Sequence, residues 1–243
     1  KASKPASSGQ AAEIIRHEGE ILGSLSAKNI VKLLDFDDSG SSCVLVLEDF
    51  GGMLFSKYLS EKLLGTEEFL DLAIQAVRAL ESVHSAKIIH KNINPGSFYY
   101  NPDSGELKLE NFEVATLVPK EKQVFDHAGC LTGSLPYISP EQTGRMNRSI
   151  DYRTDFYSLG VMFYEMLTGK LPFSSNDPLE LVHAHLAQIP VAPQKINPAI
   201  PDMLSRIIMK LMSKTAEERY QSAIGISRDL EHCLSEWKTK GAI

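Results

Sequence analysis

Cysteine is nearly absent from this 243-residue chain: there are three, Cys43, Cys130 and Cys233, and none stands at the short intervals that metal ligands require. An odd, scattered set excludes a disulfide framework and points to a reducing, cytoplasmic setting. Long apolar runs are missing too. No stretch approaches the roughly 20 apolar residues that cross a bilayer, and the opening Lys-Ala-Ser-Lys-Pro-Ala-Ser-Ser-Gly carries no apolar block of the kind that directs secretion. Nor is there an excess of base. With 25 Lys and Arg against 31 Asp and Glu, the formal charge is -6, which argues against a general nucleic-acid-binding surface. No internal repeat interrupts the chain. What is present is 43% hydrophobic content, enough for one large domain or two small lobes around a sizeable core.

Taken in order, Ala11 to Leu25 carries Ile14, Ile15, Ile21 and Leu22 at helical spacing, with Glu13, Arg16, Glu18 and Glu20 between them. Two runs rich in Val, Leu and Ile follow, 29–36 and 43–50, separated by Asp37-Asp38-Ser39-Gly40-Ser41, a hairpin signature. Thr66 is placed to cap a helix with Glu67 and Glu68 in its first turn and Leu70, Ile74, Val77, Leu80 and His84 on one face. A polar loop then carries His90, Asn92, Asn94 and Ser97. A short hairpin reverses at Pro102-Asp103-Ser104-Gly105, and a second polar turn carries Asn111, Phe112 and Glu113. From Asp155 to Leu167 the chain is apolar on nearly every helical face, so this helix must be buried; it stops at Gly169. Three further helices are predicted: one opened by Asn176-Asp177-Pro178, one over 201–214, and one from Ala223 towards Trp237.

The ordered set of motifs resembles a protein kinase. His90-Lys91-Asn92 with Asn94 and Ser97 stands where that family carries the catalytic loop, Asn111-Phe112-Glu113 where it carries the metal-binding turn, and Ser139-Pro140-Glu141 at the end of the activation segment. The likeness runs over nearly the whole chain. A narrower one, in 139–160 and 177–183, is to the kinase-like domain at the amino end of microbial hybrid histidine kinases. The resemblance implies a two-lobed α+β fold. Residues 1–52 would form a partial amino-terminal lobe of regulatory helix, two strands and hinge, and 53–243 a helical carboxy-terminal lobe.

The resemblance also assigns roles. Asn92 takes the place of the catalytic Asp, Asn94 that of the phosphate-steadying Lys, and Ser97 and Asn111 those of the metal ligands. An amide has no basicity at neutral pH, and Mg2+ favours carboxylate oxygen. Glu110 or Glu113 remains as an alternative carboxylate for the metal. The hinge backbone at Glu48 and Phe50 would meet adenine. Lys1 or Lys4 would pair with Glu18, yet no Gly-x-Gly-x-x-Gly occurs. Ser134 is expected to hydrogen-bond the catalytic loop, Asp155 to tie its backbone, and Glu141 to pair with Arg219. His183-x-His185 lies on a helix, where residues two apart do not share a face, so it is not read as a metal site.

These features predict a pseudokinase that requires no cofactor and binds ATP and magnesium weakly at most. Its partners would be other domains of the same signalling protein, or a regulatory protein in a two-component phosphorelay. The alternatives are an ATP-dependent serine/threonine kinase with atypical metal ligands and a structural linker domain.

Overall fold

The computed structural model describes residues 9–38, 43–118, 133–145 and 148–243. Helix α1 (Gly9–Ser24) packs on an antiparallel pair, β1 (Leu33–Asp38) and β2 (Cys43–Leu47), registered Phe36 to Leu45 and Asp38 to Cys43. Ile15, Ile21 and Leu22 turn inward and Ile14 outward. Strand β1 is displaced from the run that composition marks out at 29–36, and β2 is shorter than the run at 43–50. Asn29 to Val31 is taken by another partner: Val31 N–H donates to the Leu109 carbonyl at 2.9 Å and Leu109 N–H to that of Asn29 at 2.8 Å. Strand β1 therefore starts later, at Leu33.

The rest of the chain is mainly helical. Strand β3 (Met53–Leu54) leads into α2 (Phe55–Glu61) and the long α3 (Thr66–Ser85). Gly65, not Thr66, is the N-cap of α3, without a side-chain bond; Thr66 is its first helical residue, and Glu67 and Glu68 still face the positive end of the helix dipole. After β4 (Ile88–Ile89), the chain forms β5 (Phe98–Asn101) and β6 (Glu106–Leu109), which join β3 in a sheet of order β3-β5-β6. Strand β7 (Thr116–Leu117) pairs back with β4.

Helix α4 (Arg153–Thr168) starts two residues earlier than the sequence suggests and is buried over nearly its whole length. Gly160 lets α7 (Asp202–Leu211) approach it closely: a Cβ there would stand 2.7 Å from that of Leu211 and 2.9 Å from Cγ of Met212, inside contact distance. Helix α5 (Pro178–Ala187) is capped by Asp177, whose carboxylate accepts the Leu179 N–H at 2.8 Å. A short α6 (Pro193–Ile196) precedes α7, and α8 (Ala223–Lys240) lies along α3. Leu230 is wholly buried on α8, with Leu234 and Trp237 partly so. No helix among the described residues is long and apolar enough to cross a membrane.

One buried group ties this core to pH. His185 on α5 is fully buried between Tyr157 and Phe173, its Nδ1 accepting the Tyr157 hydroxyl at 3.1 Å. Burial, then the nearby Lys214 ammonium, pushes its pKa down from 6.5 to about 4. The fold holds the neutral ring while the unfolded chain takes up a proton below 6.5, so stability is lost as pH falls from 6.5 to 4. The loss should be on the order of 3 kcal/mol. Buried His90 is shifted the same way, and Glu165, raised by burial, opposes them. Urea unfolding of wild type and His185→Leu across this range should give a shallower pH slope in the variant; equal slopes would remove His185 from the account.

Candidate active site

The catalytic-loop region is fastened from below by one carboxylate. Asp155, in the first turn of α4 and fully buried, accepts the backbone N–H of His90 at 2.9 Å, that of Lys91 at 2.8 Å and the Nε2–H of His84 at 2.8 Å. Burial alone would favour its neutral form, but the His84 bond and the two histidines hold its pKa below the usual carboxylate range. Lys91 pays a backbone cost here, with φ at 64°, and its carbonyl accepts the Gln142 amide at 2.8 Å. His90 accepts the Asn92 N–H at Nδ1 (3.3 Å) and faces the Glu110 carbonyl with Nε2 (3.2 Å), a pattern for one neutral tautomer. Its ring meets Phe112 edge to face at 4.7 Å.

Above this base the polar side chains are bonded to one another. Asn94 caps the turn Pro95–Ser97 by accepting the Gly96 N–H at 2.8 Å. Its Nδ2 points back to the Asn92 carbonyl (2.9 Å), Asn92 Oδ1 (3.1 Å) and Ser97 Oγ (3.0 Å). Ser97, wholly buried, donates its hydroxyl to the Asn92 carbonyl at 2.5 Å. Asn92 Oδ1 also accepts the backbone N–H of Ser134 at 2.9 Å. The link expected from the Ser134 hydroxyl is thus made by its main chain. Gly133 permits this approach, since its φ is 95° and a Cβ would stand 2.8 Å from the Lys91 carbonyl.

The second turn behaves differently. Asn111 has φ of 67°, a conformation that Asn tolerates better than most residues, and its Oδ1 is buried without a hydrogen-bond partner. The turn is clamped to α1: Glu18, 2% exposed, accepts the Phe112 N–H at 2.8 Å, and His17 Nε2–H donates to the Ala115 carbonyl at 2.7 Å. Lys1 and Lys4, the sequence candidates for pairing with Glu18, lie outside the described residues.

Do these residues fit a magnesium ion? Ser97 Oγ is occupied by Asn92 and Asn94, and Asn92 Oδ1 by Asn94 and Ser134, so Asn111 Oδ1 is the one vacant oxygen of the set, and it is neutral. A hard divalent cation takes carboxylate oxygen from its protein ligands. No group of three metal-ligating side chains occurs among the described residues. Asn92, Asn94, Ser97 and Asn111 supply no carboxylate to the ion, which leaves Glu110 and Glu113 as the carboxylates beside the turn, and no step is derived through it.

The segment 48–50, read from sequence as the hinge, is held by residues of β5 and β6. Glu48 pairs with Lys108 at 2.8 Å and accepts the Lys32 N–H at 2.8 Å; the Lys108 ammonium lies 4.7 Å over the Phe50 ring, and Asn101 donates to the Phe50 carbonyl at 2.6 Å. Glu48 and Phe50 thus have side-chain and carbonyl roles besides the backbone contacts expected of them. The sequence reading gave Gln142, His17, Lys108 and Asn101 no role, because their partners lie far along the chain.

Glu141 and Arg219 meet as a buried, bidentate ion pair at 2.6 and 2.8 Å. Arg219 also donates to the carbonyls of Ser213, Arg153 and Lys214, which uses all five of its N–H groups. His183 is exposed and His185 buried, so the two share no site.

Comparison with known proteins fits this arrangement. The protein kinase domain model matches residues 1–234. A probable serine/threonine-protein kinase of Clostridium perfringens is 34% identical over 90% of this chain and 32% of its own length. Hybrid signal transduction histidine kinase G of Dictyostelium discoideum is 32% identical over 67% of the chain but 7% of its own length. Serine/threonine-protein kinase PrkC of Bacillus subtilis is 28% identical over 89% of the chain and 33% of its length. The chain therefore spans about a third of the bacterial kinases and a small part of the hybrid one. With that family model matching residues 1–234 and a serine/threonine-protein kinase 34% identical over 90% of the chain, the chain belongs to the protein kinase domain family.

Proposed function

We propose that this domain is a pseudokinase, a regulatory and partner-binding module of a signal-transduction protein rather than a phosphotransferase. One observation carries the reading: the side chains at the catalytic positions are neutral and spend their hydrogen bonds on one another. Asn94 gives its amide to Asn92 and Ser97, and Ser97 gives its hydroxyl to the Asn92 carbonyl. Positioning is kept while the base and the charge opposite phosphate are gone. The likeness to a small part of a hybrid signal transduction histidine kinase supports a place inside a larger signalling chain, where a phosphorelay is the natural context.

The test is thermal unfolding with ATP, with and without Mg2+ or Mn2+. A ligand at a hundred times its Kd stabilises by about 2.7 kcal/mol, roughly 5–10 °C for a domain of this size. No metal-dependent rise is expected. One observation favours a second reading, an ATP-dependent serine/threonine kinase with atypical ligands: Asn111 Oδ1 is buried and unpartnered, and a clear rise with metal would select it.

A further inference from the structure

Away from the catalytic loop lies a groove of about 920 Å³ between α3, α8 and the β5–β6 turn. None of its lining residues belongs to the site described above. Its floor includes Leu72, Ile74 and Tyr100, and its walls are charged. Three cations, Lys28, Arg78 and Lys238, face five carboxylates, Glu67, Glu68, Asp71, Glu106 and Glu231. Lys28 pairs with Glu106 and Arg78 with Glu231, while Glu68 takes Lys62 from outside the groove. Glu67 and Asp71 are left to share Lys238, at 3.5 and 3.9 Å. They stand one turn apart on α3, about half exposed, and like charges at that spacing repel. Counting Lys62, four cations meet five carboxylates here, and Glu67 also faces the positive end of the α3 dipole.

We propose that this groove docks a basic segment of a partner protein, with a lysine or arginine seated between Glu67 and Asp71. The pairs now present are solvent-exposed and individually weak, so an incoming cation exchanges with Lys238 at little cost. The floor of the groove is wired to the candidate site. Gln75 accepts the Leu107 N–H at 2.9 Å and donates to the Gly105 carbonyl at 2.9 Å, and β6 runs from there into Asn111. An occupant is thus placed to bear on the strand that carries the Asn-Phe-Glu turn. The proposal names the partner chemistry of the regulatory reading above and rests on it for its meaning, not for its measurement.

The test is fluorescence polarisation at low and high ionic strength with a short fluorescein-labelled peptide of alternating lysine and leucine, and a counterpart with glutamate for lysine. The basic peptide should bind wild type and weaken with salt. Glu67→Lys/Asp71→Lys should weaken it by about tenfold or more and strengthen the acidic peptide. Glu13→Lys/Glu20→Lys, an equal charge change on exposed positions of α1, should leave both nearly unchanged. Absence of binding, or equal weakening by the two double variants, overturns the proposal, the latter by showing general attraction to an acidic protein. A domain that proved active in phosphotransfer would refute the pseudokinase reading and leave this measurement intact.

Discussion

Changing Asn92 and Asn111 together to aspartate is expected to raise protein phosphotransfer by about 100-fold or more over a wild type at background, the low end of what a general base supplies. Asn92 accepts the change without rebuilding, whereas at Asn111 the buried, unpartnered oxygen becomes a charge that a bound cation must neutralise. Asn92 already uses Oδ1 only as an acceptor, from Ser134 N–H and Asn94 Nδ2, and a carboxylate keeps both bonds. Asn111 holds its oxygen buried and unpartnered at φ of 67°, a conformation aspartate shares. Each single variant should gain far less, because a base without metal-bound phosphate, or the reverse, completes half of a unit that acts together. The measurement is transfer of labelled phosphate from ATP to a protein substrate, in magnesium and in manganese. A wild type that already turns over, and stops when Asn92 or Asn111 becomes alanine, would end the pseudokinase reading.

Replacing Arg219 with methionine is expected to cost about 3–5 kcal/mol, the usual loss when one member of a buried pair is removed, which is roughly 6–20 °C in Tm for a domain of this length. The cause is local. Glu141 would be left as a buried carboxylate, and the carbonyls of Ser213, Arg153 and Lys214 would lose their donor. Glu141→Gln should cost less, since the guanidinium keeps those three carbonyls and gains an amide oxygen. Adding Glu141→Leu to Arg219→Met should recover only part of the loss, because it removes the stranded charge but not the stranded carbonyls. Thermal unfolding of the three variants gives the order, and an Arg219→Met protein within about 1 kcal/mol of wild type would contradict the role given to the pair.

Much of this was legible before any coordinates. The apolar period of 155–167 required a buried helix. The reversal at 102–105 required a hairpin, and the spacing of His90, Asn92, Asn94 and Ser97 against Asn111 marked two loops held side by side. Strand limits were less legible. The run from Asn29 is apolar enough for β1, but its backbone is claimed by Leu109, about 80 residues on, and propensity carries no information about such competition. The cap of α3 also shifted: Ser and Thr caps are preferences, and here Gly65 takes the position with no side-chain bond.

By itself, the sequence determined which functional groups these positions offer. Amides at 92, 94 and 111 and a hydroxyl at 97 have no base and little affinity for a hard cation wherever they point, because that is a property of the groups. Only the tertiary structure decided what those groups do instead. It turned Asn94 inward to join Asn92 and Ser97, left Asn111 Oδ1 without a partner, and clamped the turn to α1 through Glu18 and His17. Directional bonds between residues distant along the chain exist only once the chain has brought them to about 3 Å, and no pattern of residue types encodes that distance.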